Sequence, residues 1–412
     1  MTARHQTGVL WVCCHLGARE HYAVPRALHR QGRLGLLVTD AWVRPGSRWS
    51  RIPGELPRRL AERFHPELAD AEVRHFTGSL IAREALWRAR RPGAWVQPML
   101  RNRWFGDRAA AALDRVPTGD RPRTVVFAHS YSARAVFRQA KARGWMTVLG
   151  QIDPGEEHFR IAQRLAAGLP EYGGASAMPP AAYFASWREE CAMADRIVVN
   201  SEWAREAMVR ARIPAEKLRI IPLGYDSEAP GLVTEHAYPA RFTPERPLRV
   251  LFVGHVAVAK GVPELLEAIT NLNGIPVALR LVGETAMTVP ARFLNHPAIQ
   301  WVGPLSRGAV MRHYHECDVL VFPSHSDGFG MAQVEAQAWR LPIIASRHCG
   351  QVVEDGVNGL LLPEVSAGAI ATALRRVADA PALLAAFSRQ SATVQGAGID
   401  ALSAGLLALE RP

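Results

Sequence analysis

The 412-residue sequence predicts an α/β protein built from two doubly wound, Rossmann-like halves. Three observations predict it. Short apolar runs alternate with helically patterned segments at both ends of the chain, as βαβ units require. A polar, proline-bearing stretch without periodicity, residues 222–247, separates the two series. The chain is also longer than one ordinary core organises.

The first series comprises VLWVCCH (9–15), LGLLVTD (34–40), TVVFAHS (124–130), WMTVLGQID (145–153) and RIVVNS (196–201). Near-continuous apolar runs of this length mark strands covered on both faces, hence a parallel sheet. Residues 42–105 interrupt the alternation with Trp42, Trp49, Trp87, Trp95 and Trp104 set among arginines. Such a segment suits a helical insertion with core tryptophans, a basic surface held against an anionic membrane or a nucleic-acid contact. The second series is LRVLFVG (248–254), VALRLVG (277–283), IQWVG (299–303), DVLVFPS (318–324) and LPIIAS (341–346). The expected organisation is a first domain over 1–221, a linker over 222–247, a second domain over 248–395 and a segment, 396–412, that packs back on the first. A site between the halves is expected, because ligands of such sheets bind outside the carboxyl ends of the strands.

Apolar content of 48% and charged content of 21% are those of a globular protein. No run of 18 apolar residues occurs, so no spanning helix is expected. The opening MTARHQTGVLWVCC reads as a first buried strand, since no small-residue cleavage site follows it, and the expected location is cytoplasmic. The five cysteines lack metal-ligand spacing and read as buried free thiols. The net charge of +11 is uneven: residues 1–120 hold 20 arginines against 11 acids, 20 − 11 = +9, and the rest only 29 − 27 = +2. A basic half fits nucleic acid, an anionic membrane, a phosphorylated substrate or a solvated arginine-rich face. No nucleic-acid partner is expected.

One segment concentrates chemistry: FPSHSDGFGMAQVEAQA, residues 322–338. A strand ends at Phe322, Gly328 and Gly330 flank Phe329, and a helix is expected from Met331. Glycine permits positive φ and close approach to bare backbone. A helix start leaves unpaired amides and a partial positive charge, which suit phosphate oxygens. Glu335 lies in the second turn, a rise of roughly 7 Å. Carboxylates accept from paired hydroxyls, so the spacing fits a sugar at Asp327, a diphosphate at Gly328–Gly330, beside the Met331 helix start, and a ribose at Glu335. FVGHVAVAKG (252–261) offers a second anion site at Lys260, one of three lysines in the chain. A compact ammonium suits a phosphate whose charge grows as it leaves. Glu284 and CGQVVEDGVNGLLLP (349–363) complete the loops on that edge. Taken singly, the motifs are open to reading as a plain turn and a surface lysine; together they are specific.

FVGHVAVAKGVPELLEAI (252–269), VGPLSRGAVMRHYHECDVLVFPSHSDGFGMAQVEAQA (302–338), LPIIAS and CGQVVEDGVNGLLLP resemble the retaining GT-B glycosyltransferases of glycosyltransferase family 4, the glycosyl transferases group 1. RIVVNSEWAREAMVRARIPAEKLRIIPLGYD (196–226) resembles the segment before that family's interdomain linker. The likeness is strong over about 190–365 and weak over 1–190. It implies a GT-B fold, two Rossmann-like domains facing across a cleft, and transfer from a nucleoside-diphosphate sugar with retention. No cofactor is expected beyond that co-substrate and, with no D-x-D in the chain, no metal.

Carried over by position, Asp327 and Glu335 match the family's acid–seven residues–acid motif, and Lys260 matches its diphosphate lysine. His255 stands where the family usually has arginine, and Asp327 where it usually has glutamate. The resemblance further implies that backbone at Val302, Gly303 and Leu305 meets the base, and that Gly17 matches the first glycine-bearing loop. Candidate groups facing the reaction from the first half are His129 and Asp153. The acceptor is expected to be a hydroxyl, lipid-linked or a polysaccharide intermediate, with peripheral contact to the inner face of a membrane. A GT-B nucleotide-sugar epimerase and a non-catalytic nucleotide-sugar-binding protein are the alternatives.

Overall fold

The computed structural model describes residues 8–47, 49, 60, 62–90, 93–117, 123–173, 178–226, 236–391 and 398–411. Residues 227–235 of the expected linker, 396–397 and 412 of the closing segment, and 48, 50–59, 61 and 91–92 of the arginine- and tryptophan-rich stretch lie outside these.

Seven strands form the first sheet: β1 (Val9–His15), β2 (Leu34–Thr39), β3 (Val73–His75), β4 (Arg123–His129), β5 (Met146–Gly150), β6 (Arg196–Val199) and β7 (Leu218–Ile220). Six form the second: β8 (Leu248–Val253), β9 (Val277–Val282), β10 (Ile299–Gly303), β11 (Val319–Phe322), β12 (Ile343–Ala345) and β13 (Gly359–Leu361). The spatial orders are β3-β2-β1-β4-β5-β6-β7 and β10-β9-β8-β11-β12-β13. Every pairing is parallel, as between β1 and β4 or β8 and β11. Each order reverses direction once, between β1 and β4 in the first sheet and between β8 and β11 in the second. The loops leaving those strand pairs diverge there and open a crevice.

Alternation along β1 explains why its run is unbroken. Trp11 and Cys13 point into one core with Tyr22, Leu28 and Phe127, whereas Val12 and Cys14 point into another with Phe105, Phe137 and Trp187. Each fully buried side chain of this kind contributes about 1.5–3 kcal/mol relative to exposure. The second sheet is covered likewise, with Val250 and Phe252 on one face and Leu251 on the other. All five cysteines are buried and free.

In the 42–105 stretch, helices span Thr77–Arg90 and Val96–Leu113. Trp42, Trp87 and Trp104 are buried, so their rings serve packing. The closing helix, Ile399–Ala408, seats Leu402 and Leu406 beside Trp11 and Phe127 of the first domain. The Trp11 indole donates to the Glu410 carboxylate at 2.8 Å.

One first-domain segment reaches across. After the helix Glu156–Gly168 and a 3₁₀ turn at Pro170–Tyr172, Tyr172 is buried in the second domain's core with Leu265 and Phe293. Its carbonyl accepts from the Thr288 amide at 2.8 Å, and the neighbouring Glu171 pairs with Arg292 at 2.7 Å.

Candidate active site

Because β8 and β11 are neighbours, the loops that follow them meet, and this brings Lys260 to Asp327. Lys260 ends a 3₁₀ turn, Val258–Lys260, which closes on Gly261 at φ +69°. Its Nζ donates to Asp327 Oδ2 at 2.5 Å, with both side chains about one-fifth exposed. Asp327 is pinned further: its amide donates to the His348 carbonyl at 2.9 Å, and its Oδ1 accepts from the Phe329 amide at 3.3 Å. Lys260 and Asp327 therefore form one electrostatic unit at the crevice.

Gly330, at φ +88°, turns the loop into the helix Met331–Ala338. A Cβ there would sit 2.6 Å from the Phe322 ring, so only glycine fits. Glu335, in the second turn, accepts from the Tyr314 hydroxyl at 2.7 Å. Phe329 is buried against Tyr225 and Val334 and anchors the loop. His255 and Glu284 are exposed on the loops after β8 and β9. The Val256 amide donates to the Glu284 carbonyl at 2.9 Å, and the Gly283 amide to the Gly303 carbonyl at 2.9 Å. These bonds carry the edge on to half-buried Val302 and exposed Leu305.

The first domain closes over this loop. A Cβ at Gly328 would lie 2.9 Å from the Ile152 carbonyl oxygen and 3.4 Å from Asp153 Cα. Asp153 Oδ1 accepts from the Tyr131 hydroxyl at 2.8 Å, the Gly155 amide at 2.8 Å and Gln151 Nε2 at 3.0 Å. Gly17 sits behind, its amide donating to the buried Asp40 at 3.0 Å. His129 packs edge-on against His15 at 4.5 Å and against Phe127 at 5.1 Å. Burial, then the neighbouring His15 and Arg19, hold its pKa well below the ordinary histidine value, which keeps the ring neutral.

Three residues that the sequence reading passed over join the site. His158 Nδ1 lies 3.2 Å from Ser326 Oγ, and its electrostatic neighbours are Asp153, Lys260 and Asp327. Burial lowers its pKa, opposed by Asp153 and Asp327. The Trp203 indole faces the same Ser326 hydroxyl at 3.4 Å. Ser201 Oγ donates to the Gly328 carbonyl at 2.7 Å while accepting from Ala204 N at 3.1 Å as a helix cap. Each follows a strand end and stands at the cap or in the first turn of a helix, a signal available in DPGEEHF and NSEW. Ser201→Ala should cost about 1 kcal/mol through the lost cap, read by denaturant unfolding. It should also weaken closure, read as a raised donor KM.

Among the described residues, no group of three or more His, Cys, Asp or Glu side chains is placed to hold a metal ion. No helix among them is long and apolar enough to cross a membrane.

Comparison with known proteins places the two halves separately. Residues 55–229 match the family model Glycosyltransferase Family 4, and residues 236–394 match Glycosyl transferases group 1. A D-inositol 3-phosphate glycosyltransferase of Geodermatophilus obscurus is 29% identical over 233 residues, 49% of each chain. An uncharacterized glycosyltransferase of Methanocaldococcus jannaschii is 37% identical over 119 residues, 27% of this chain and 32% of its own. The chain thus spans between about one third and just over half of the length of the curated relatives it matches. Two solved structures superpose on nearly the whole chain. Sucrose-phosphate synthase from Thermosynechococcus elongatus does so with a TM-score of 0.64 at 18% identity, covering 98% of both chains. Anabaena HepE in complex with UDP and glucose does so with a TM-score of 0.62 at 14% identity, covering 98% of this chain and 99% of its own. With the two parallel sheets, these likenesses establish a two-domain α/β GT-B fold.

Proposed function

We propose that this chain, a glycosyltransferase family 4-like protein of GT-B fold, moves a sugar from a nucleoside-diphosphate sugar to a hydroxyl acceptor with retention and without a metal. The observation that carries the reading is the Lys260–Asp327 pair at 2.5 Å, set in the crevice between β8 and β11 with Glu335 two helical turns on. Lys260 is the cation for the departing diphosphate, Asp327 the acceptor for sugar hydroxyls and Glu335 the acceptor for the ribose. Relatives named as glycosyltransferases, and a structural neighbour in complex with UDP-glucose, support a nucleotide-sugar donor.

The barrier is cleavage of the sugar–phosphate bond, and positive charge aimed at the leaving oxygens lowers it. Asp153, held by three donors, is a first-domain carboxylate beside Gly328. Its place and fixed orientation suit it to receive the acceptor hydroxyl. The reading extends to assembly of a cell-surface polysaccharide or glycolipid at the inner face of a membrane. Supporting this are the exposed Leu86, Val96 and Leu100 on two arginine-bearing helices.

A thermal-shift panel of UDP- and GDP-sugars, followed by donor turnover, tests the proposal. A donor that raises the melting temperature and is slowly hydrolysed supports transfer. Isomerised donor would instead show an epimerase, and binding without turnover a non-catalytic module. Asp327→Glu should reorder the donors, because one added methylene moves the carboxylate relative to the sugar; an unchanged ranking removes Asp327 from donor selection.

A further inference from the structure

A cavity of about 520 Å³ lies beside the crevice, inside the range of roughly 300–1,000 Å³ usual for small-molecule sites. Its walls are the first turns of the helix Val96–Leu113, the loop after β4 and the helix Ala181–Met193. Met99 and Leu100 line one side and Tyr183 and Ser186 the other, with Tyr131 at the back. Val96 and Leu100 at the lip remain 50% and 43% exposed, apolar surface left in water.

The charges around the cavity already have partners. Arg138 and Arg134 reach the same Glu189 at 2.5 and 3.6 Å, and Arg103 faces Asp107 at 3.9 Å. The start of the helix Arg134–Ala142 is occupied too. Glu190 accepts from the amides of Tyr131 at 2.6 Å, Ala133 at 3.0 Å and Arg134 at 3.1 Å. An anion would find a carboxylate where it needs bare amides. What the cavity offers is an apolar, aromatic wall.

Tyr131 joins this cavity to the crevice. It holds φ +72°, a strained setting for a residue with a side chain, and the Glu190 bond to its amide keeps it there. Its ring stacks on Tyr183 at 4.6 Å, and its hydroxyl donates to Asp153 at 2.8 Å. Tyr131 thus links the wall of the cavity to Asp153, and Asp153 adjoins Gly328.

Resting on the reading above, we propose that this cavity binds the uncharged apolar part of the acceptor, an alkyl or aryl glycoside, and delivers its hydroxyl over Asp153. In the transfer the acceptor oxygen forms the new bond to the sugar. The sugar–phosphate bond breaks with its electron pair on the diphosphate, and the acceptor proton goes to the departing phosphate.

Calorimetric titration of the full chain with octyl, phenyl and methyl β-D-glucoside tests this, with the octyl compound below its micellar concentration. Octyl or phenyl glucoside should bind at least about tenfold tighter than methyl glucoside, and the better of the two identifies alkyl or aryl chemistry. Ser186→Trp, which fills the cavity, and Leu100→Glu, which charges its lip, should each abolish that preference while UDP binding and melting temperature hold. Equal affinity for the three glucosides overturns the proposal, as does a preference that survives both variants. Failure of the function itself reads differently, as a chain that neither binds nor turns over nucleotide sugars.

Discussion

Replacing Lys260 by alanine should lower turnover of the nucleotide sugar by about 10²–10³-fold, or about 3–4 kcal/mol of transition-state stabilisation. Two effects add. The departing diphosphate loses the cation set at the crevice, and Asp327 loses the ammonium 2.5 Å from its carboxylate. An unpaired carboxylate then faces the incoming diphosphate, so donor KM should rise as well. The double change Lys260→Ala with Asp327→Asn separates these effects. Relieving the repulsion should restore part of the KM but none of kcat, giving a clear interaction energy between neighbouring sites. Strictly additive losses would show that the two side chains act independently, against the pairing seen here.

Gly261→Ala should cost about 3 kcal/mol or more of stability. At φ +69°, a Cβ at this position would lie 2.0 Å from the Pro323 carbonyl oxygen and 2.9 Å from its carbon. Neither atom can swing aside, because both are backbone at the end of β11. The substitution must therefore push apart the two loops that bring Lys260 to Asp327. Gly274→Ala is the matched control: its φ is +78° with nothing within 4 Å, so only the left-handed backbone cost of about 1 kcal/mol applies. Denaturant unfolding of both variants isolates the steric part, and equal losses would mean that the close approach at Gly261 relaxes freely.

The fold class was legible because interior strands of a parallel sheet are apolar on both faces. β3, β7 and β13 were not, and all three lie at sheet edges and are three residues long. β3 buries none of its residues and β7 only one, leaving no apolar run to detect. Trp42, Trp87 and Trp104 carried no sign of which way they faced, since core and interfacial tryptophans share the same neighbours in sequence. Asp327 and Glu335 could be read together because they lie only eight positions apart on one loop and helix. The meeting of Lys260 with Asp327, 67 residues apart, depends on β8 lying beside β11. That of His158 with Ser326, 168 residues apart, depends on how the domains close. For His129, strand alternation held a usable clue: Val125, Phe127 and His129 share one face, which the closing helix Ile399–Ala408 covers.

The crossing of Tyr172 into the second domain's core has a thermodynamic consequence. Domains that touch only across a wet cleft melt as separate units, each with its own heat-absorption peak. Here the helix Glu156–Gly168 supplies His158 to the crevice and leads, through Pro170, into a buried aromatic contact with Phe293. Losing the fold of either half exposes that ring, so the halves are cooperative and a calorimetric scan should show a single transition. A ligand held only by the second half would then protect the first from heat as well.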